Sequence, residues 1–233
     1  MGMKKNAKRM ARISIDVAMT AILLLLMAYQ LIGEKRHEWC GIFMFLLFVA
    51  HHVLNRTWCR NIMKGRYHAR RICQTLLVIL ILLCMMGSMV SGMVLSRYVF
   101  ASLPIRSGAS WARTVHMLCA YWGFVFMSIH LGFHWNMMMA MGRNVLGKTS
   151  KAGGAITFVI AALIAVYGGI AFVKRDIWNY LTLKNHFAFY DFSKPVVFFL
   201  LDYLAVMGLF VFAGHYLGKW VSHRRSKKNI NSL

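Results

Sequence analysis

The sequence predicts an all-α fold, a polytopic membrane helical bundle with six transmembrane helices, and three observations lead there. The chain has 233 residues, of which 59% are hydrophobic and only 15% charged, with a mean hydropathy of +0.56. Its apolar residues gather into runs of about 20, the helix length that crosses a hydrocarbon layer about 30 Å thick. Its charges are lopsided, 28 Lys and Arg against 6 Asp and Glu, and most of the basic residues lie between the apolar runs. A net charge of +22 in a soluble protein would suggest nucleic acid. Here no nucleic-acid-binding motif accompanies it, and its placement is that of charge flanking membrane spans.

Taken in order, residues 1–12 form a basic N-terminus, MGMKKNAKRMAR. The apolar run 13–32 has the polarity of a signal peptide, but it is too long for one and ends in GEKRHE rather than a small-residue cleavage site, so a retained first helix is expected. Asp16 near its start is tolerable close to an interface. Further spans are expected at 38–58, 72–95, 111–139, 155–173 and 195–217. Pro195 suits a first helical turn, where a missing N–H costs nothing. A basic tail occupies 218–233, and no separate soluble domain remains between 13 and 217. Six spans put both termini on one side. The segments on that side (1–12, 56–71, 143–151 and 219–228) hold 19 of the 28 basic residues, so both termini are expected in the cytoplasm. The aromatic segment 176–194 then faces outward, as a short interfacial helix or folded loop.

Five scattered cysteines without a CxxC give neither a disulfide framework nor a zinc site, and the absence of CxxCH argues against covalently attached haem. The histidines carry more. His37 and His51 in the second span are 14 residues apart, and so are His116 and His130 in the fourth. On a helix 14 residues fall about 40° short of four turns and rise about 21 Å, so each pair shares one face with a histidine toward each side of the bilayer. Spans two and four run in the same direction. His37 is therefore level with His116 and His51 with His130, the arrangement that grips two stacked b haems, each iron between two neutral imidazoles. A lone histidine in a span more often hydrogen-bonds a neighbouring helix, but four at matched intervals favour ligation. The expected core of the bundle is therefore a diheme four-helix arrangement.

His52 and His134 compete for the inner site. The intervals from His37 to His52 and from His116 to His134 do not match each other, so His51 and His130 are preferred, with His134 beside the haem or its propionates. Gly41 and Gly123 could let a flat macrocycle approach, or could serve helix packing. Arg36 and Arg113 near the outer pair, and Arg56 near the inner, could meet propionates or lipid phosphates. His68, His186, His215 and His223 are expected at interfaces or in solvent. The 18 methionines, with HWNMMMAM at 134–141, could bind Cu(I) but suit a flexible apolar filler better.

The runs HEWCG (37–41) and HHVLNRTW (51–58), and the stretch from His116 through AYWGF to His130-Leu-Gly-Phe-His134-Trp135, resemble the flavinylation-associated cytochrome family, bacterial membrane b-type cytochromes. KRDIWNYLTLKNHFAFYDF and PVVFFLLDYLAVMGLF resemble longer members. The resemblance implies two bis-histidine b haems in the bacterial plasma membrane. It also implies electron transfer between a membrane quinol or dehydrogenase and extracytosolic flavoproteins that carry covalent FMN. His37, His51, His116 and His130 match the ligand positions, and His134 is a further match. The flavin-attachment motif of such partners is only echoed at Ser107-Gly108-Ala109-Ser110, because Pro104 stands where an acid or amide belongs. Ser110 is expected to cap span four instead. The alternative reading is a haem-free His/Met membrane transporter or a scaffold subunit.

Overall fold

In the computed structural model the described residues are 2–62, 64–65, 67–102, 108–146, 151–185 and 195–230. Among them all regular structure is helical: α1 Gly2–Met27, α2 Tyr29–Ile32, α3 Glu34–Leu54, α4 Arg56–Asn61, α5 Ala69–Leu95, α6 Ala109–Leu146, α7 Lys151–Lys174, α8 Ile177–Leu181 and α9 Val196–Ile230. Six stretches are long and apolar enough to cross a membrane: Ala7–Met27, Glu34–Leu54, Ala69–Leu95, Ala109–Ala140, Gly154–Lys174 and Val196–His223. α7 shows why these helices need an apolar surround. Leu163, Val166, Ile170 and Val173, a stripe at helical spacing, are 60–74% exposed. The six expected spans are therefore present, with shifted ends.

The first end to shift is that of span one. A single run over 13–32 was expected, but α1 stops at Met27 and the chain turns through 28–33. Ala28 N–H bonds the Leu25 carbonyl, a tightened last turn, and Gly33 sits at φ +81°, ψ 157°, a backbone state costly for any side-chain-bearing residue. Gly33 N–H donates to the Tyr29 carbonyl, and its own carbonyl accepts the N–H of His37. This joint folds α3 back along α1 and starts α3 four residues before the expected span. At the far end α3 stops at Leu54, and Arg12 Nη2 donates to the Leu54 carbonyl at 2.7 Å, satisfying one of the acceptors a helix end leaves open. Span four also begins differently. α6 starts at Ala109, with the Gly108 carbonyl accepting the Ala112 N–H, so Ser110 lies inside the first turn and does not cap it. Pro195 stands just before α9, its carbonyl accepting the Phe198 N–H. The aromatic segment 176–194 supplies the short helix α8; residues 186–194, including His186, lie outside the described residues.

The chain forms two compact units: Met1–Arg66 with Met86–Met117 and His186–Leu200, and Tyr67–Met85 with Leu118–Asn185 and Leu201–Leu233. The basic N-terminal residues continue into α1 and the basic tail into α9, so the expected boundaries at 12 and 218 are not breaks in the helices.

The second unit is built on close backbone approach. Gly132 of α6 faces the Val211 carbonyl of α9, and Gly214 of α9 faces the Ile129 carbonyl of α6. Gly168 of α7 lies against the Ala205 carbonyl, and Gly208 against Ile164. In hydrocarbon, helix association rests on such van der Waals contact and not on the hydrophobic effect. One charge is sealed in the same unit. Asp202 of α9 is 1% exposed and accepts from Tyr167 Oη at 2.6 Å, Lys174 Nζ at 3.1 Å and Arg175 Nε at 2.8 Å. A buried carboxylate persists only when paired in this way. Tyr121 stacks on Tyr180 at 4.7 Å and shares a 3.3 Å hydrogen bond with Tyr203, while Trp122 Nε1 donates to the Leu181 carbonyl, so α8 is tied to the unit by its backbone.

Gly214→Leu should lower thermal stability by about 1–3 kcal/mol, the usual cost of overpacking, whereas Gly154→Ala, with open space around its Cα, should leave the melting temperature within error. Detergent-solubilised variants followed by thermal unfolding check both.

Candidate functional site

Of the four matched histidines, the structure brings His37 and His116 together, their ring centroids 6.0 Å apart and the planes at 69°. Both stand in early turns of their helices, α3 and α6. His116 is fully seated. Its Nδ1 lies 3.0 Å from the Ser88 carbonyl and 3.2 Å from Ser91 Oγ, both on α5. Ser91 is 1% exposed and donates its own proton to the Gly87 carbonyl at 2.6 Å, so toward His116 it accepts. A carbonyl can only accept. Nδ1 therefore carries the ring proton, and Nε2 is left with its lone pair. Gly92 lies against the ring, where a Cβ would make ordinary contact with His116 Cε1 at 3.4 Å.

His37 is packed edge-on against Tyr29 at 5.0 Å. Its Nδ1 is buried and has no hydrogen-bond partner among the described residues, although the Leu26 carbonyl interacts with the ring. Such an orphan is unusual in a packed protein. Tyr29, in the turn between α1 and α3, has its phenol raised above the ordinary range, first by burial and then by the nearby Glu34 carboxylate.

The residue beside His37 fixes the helix end. Glu38 accepts from Ser96 Oγ at 2.7 Å and from the backbone N–H groups of Arg97 at 2.8 Å, Tyr98 at 3.1 Å and Val99 at 2.8 Å. One carboxylate thus gathers the chain that leaves α5 and ties it to the start of α3. Glu34 adds a looser, exposed pair with Arg97 at 3.4 Å.

A metal held between two imidazoles lies about 2 Å from each nitrogen, which places ring centroids about 6 Å apart, and the outer pair meets that spacing. No group of three or more His, Cys, Asp or Glu side chains converges as a metal site among the described residues. An ion between His37 and His116 would therefore need its remaining donors from elsewhere, and a porphyrin supplies four. The donor set present, a seated neutral imidazole with a second buried imidazole 6.0 Å away, is of the kind that group takes.

The inner histidines are described in their own units. In the first, His51 Nδ1 is 2.7 Å from Asp16 Oδ1, a bond that fixes the tautomer and the ring. Asn55 Nδ2 bonds the His51 carbonyl at 3.0 Å and reaches toward Nε2 at 3.4 Å. His52 differs: its Nδ1 bonds the Phe48 carbonyl of its own helix at 2.9 Å, and its ring packs on Phe48 at 4.2 Å. In the second unit His130 and His134 lie one turn apart with ring centroids at 4.8 Å. Of the two glycines singled out, Gly41 has nothing within 4 Å of a would-be Cβ, an open face, whereas a Cβ at Gly123 would stand 3.3 Å from Cys84 Cβ, so that face is packed against α5. Arg36, Arg56 and Arg113 are all exposed.

Several of these partners have no place in a search for ligand-type residues. Asp16, Glu38 and Asp202 could have been found by asking what each of only 6 acidic residues does in so apolar a chain. Ser88 acts through its carbonyl, which leaves no trace in sequence.

Glu38→Ala should release the 96–99 segment, costing about 1.5–3 kcal/mol for hydrogen bonds to a charged group, and should expose it to protease. Glu34→Ala should cost under about 1 kcal/mol, as exposed pairs do. Limited proteolysis with thermal unfolding separates them. No family model, no curated protein and no solved structure matches this chain.

Proposed function

We propose that this chain is a membrane b-type cytochrome holding two haem groups at two depths. It would carry electrons across a bacterial plasma membrane between a quinol or dehydrogenase and extracytosolic FMN-bearing flavoproteins. The observation that carries the reading is the outer pair: His37 and His116 at 6.0 Å, with the His116 proton held on Nδ1 by the Ser88 carbonyl. Haem bound there would supply one-electron reduction and reoxidation of its iron. The chain's own part is to hold Nε2 of His116 unprotonated and aimed, to keep water from the outer rings by burial, and to fix the helix ends through Glu38. The open face at Gly41 leaves space beside α3 for a flat ring.

For the inner position, the Asp16 carboxylate orients His51 as the favoured ligand, and the equal 14-residue intervals in the sequence favour His130 as the second. An acid at the far nitrogen raises a ligand's basicity more than the neutral Phe48 carbonyl that orients His52. Cytoplasmic termini rest on the 19 of 28 basic residues that flank the spans on that side.

Purified protein should show a reduced-minus-oxidised b-type spectrum with two haems per chain. His37→Ala should remove one signal and spare the other, and His51→Ala should do the reverse. A colourless protein expressed with ample haem overturns the proposal. Asp16→Ala should weaken retention of the inner haem by about 10- to 100-fold, the usual cost of losing such an orienting partner, as measured by haem transfer to apomyoglobin. In liposomes, quinol on one side should reduce an external flavoprotein acceptor on the other only when the intact protein is present; absence of transfer refutes the transmembrane route.

A further inference from the structure

The second unit contains a cavity of about 700 Å³ where the beginning of α5, the later part of α6 and the end of α9 meet. Arg70, Lys219 and His215 contribute to its lining together with the aromatic rings of Phe133, Tyr216 and Trp220, and no carboxylate among the described residues lines it. We propose that this cavity binds the headgroup phosphate of an anionic phospholipid.

Arg70 is the anchor. It is half-buried, and its guanidinium is oriented by two long bonds, Nη1 to Ser222 Oγ at 3.5 Å and Nη2 to the Phe133 carbonyl at 3.3 Å. Ser222 donates its own proton to the Gly218 carbonyl at 2.7 Å, so it stands as an acceptor that holds the fork in place. A guanidinium has five N–H donors, and two bonds of this kind leave the planar fork able to meet a phosphate. Lys219 lies over the Tyr216 ring, 5.1 Å from its centroid, which keeps a second cation at the rim. Gly218 packs against Phe133, so the apolar wall is continuous with the helix contact beneath it.

The position argues for a lipid source. Trp220 and Tyr216 are exposed at the end of a span that reaches His223, the level at which amphipathic rings meet headgroups. A lining that combines two cations with three aromatic rings matches a phosphate carried on acyl chains, whereas a free phosphate would use only the cations. Charge complementarity excludes a cationic occupant, and a zwitterionic headgroup would bring its own cation against Arg70 and Lys219.

The test uses full-length protein in detergent, given phosphatidylglycerol, phosphatidylcholine or inorganic phosphate in separate arms and read by native mass spectrometry. Phosphatidylglycerol should be retained in preference to phosphatidylcholine. Lys219→Gln and Arg70→Gln should each cut that retention by about fivefold. Because Arg70 also bonds Ser222 and Phe133, the exposed Lys219→Gln variant with an unchanged unfolding temperature is the decisive one. Equal retention of the two lipids, or retention unchanged in Lys219→Gln, overturns the proposal. Inorganic phosphate that displaces phosphatidylglycerol at equal concentration makes the occupant a free anion and overturns the lipid assignment.

Discussion

Hydrocarbon offers no hydrogen bonds, so every polar group carried into these spans must find its partner within the protein. That constraint explains why the few polar side chains of this apolar chain are so specifically placed. Glu38 is satisfied by one hydroxyl and three backbone N–H groups. Asp16 is satisfied by His51, and Asp202 by a tyrosine, a lysine and an arginine. These three acids share one rule: each is bound by donors from another part of the chain, and each ties together elements that carry a histidine or a helix contact.

The same rule makes the outer histidines legible as chemistry. His116 obeys it at Nδ1, which finds the Ser88 carbonyl, while His37 has only the Leu26 carbonyl beside its ring. The two rings thus meet edge to face with different support, a close pair of acceptors at His116 and only the Leu26 carbonyl at His37. The electron-transfer reading draws its physical support from this asymmetry.

The hydropathy of the chain was enough to predict six spans, because a hydrophobic run about 20 residues long has few other uses. The level pairing of His37 with His116 was legible because both the interval and the direction of the helices are properties of the string itself. Helix ends were less so. The break after Met27 depends on the backbone state of Gly33, and a glycine followed by charged residues reads equally well as the edge of a longer span. The start of α6 at Ala109 escaped for a similar reason, since Gly108 supplies its carbonyl where a serine side chain was expected to cap. Contacts made through carbonyls, such as Ser88 to His116 or Gly132 to Val211, belong to the backbone and have no residue-type signature. The division into two compact units is likewise a property of packing that hydropathy does not encode.

The glycines of α9 have a consequence for how the second unit is made. Gly208 meets α7 and Gly214 meets α6, and both partners precede α9 in the chain. The earlier helices therefore enter the bilayer before the surface that locks them has been synthesised. Until α9 arrives, the backbone grooves at Ile129, Gly132 and Gly168 are lined by lipid tails, and the Lys174 and Arg175 cations lack the carboxylate of Asp202. The contacts that hold this unit together are therefore completed only when its last helix packs against the earlier ones.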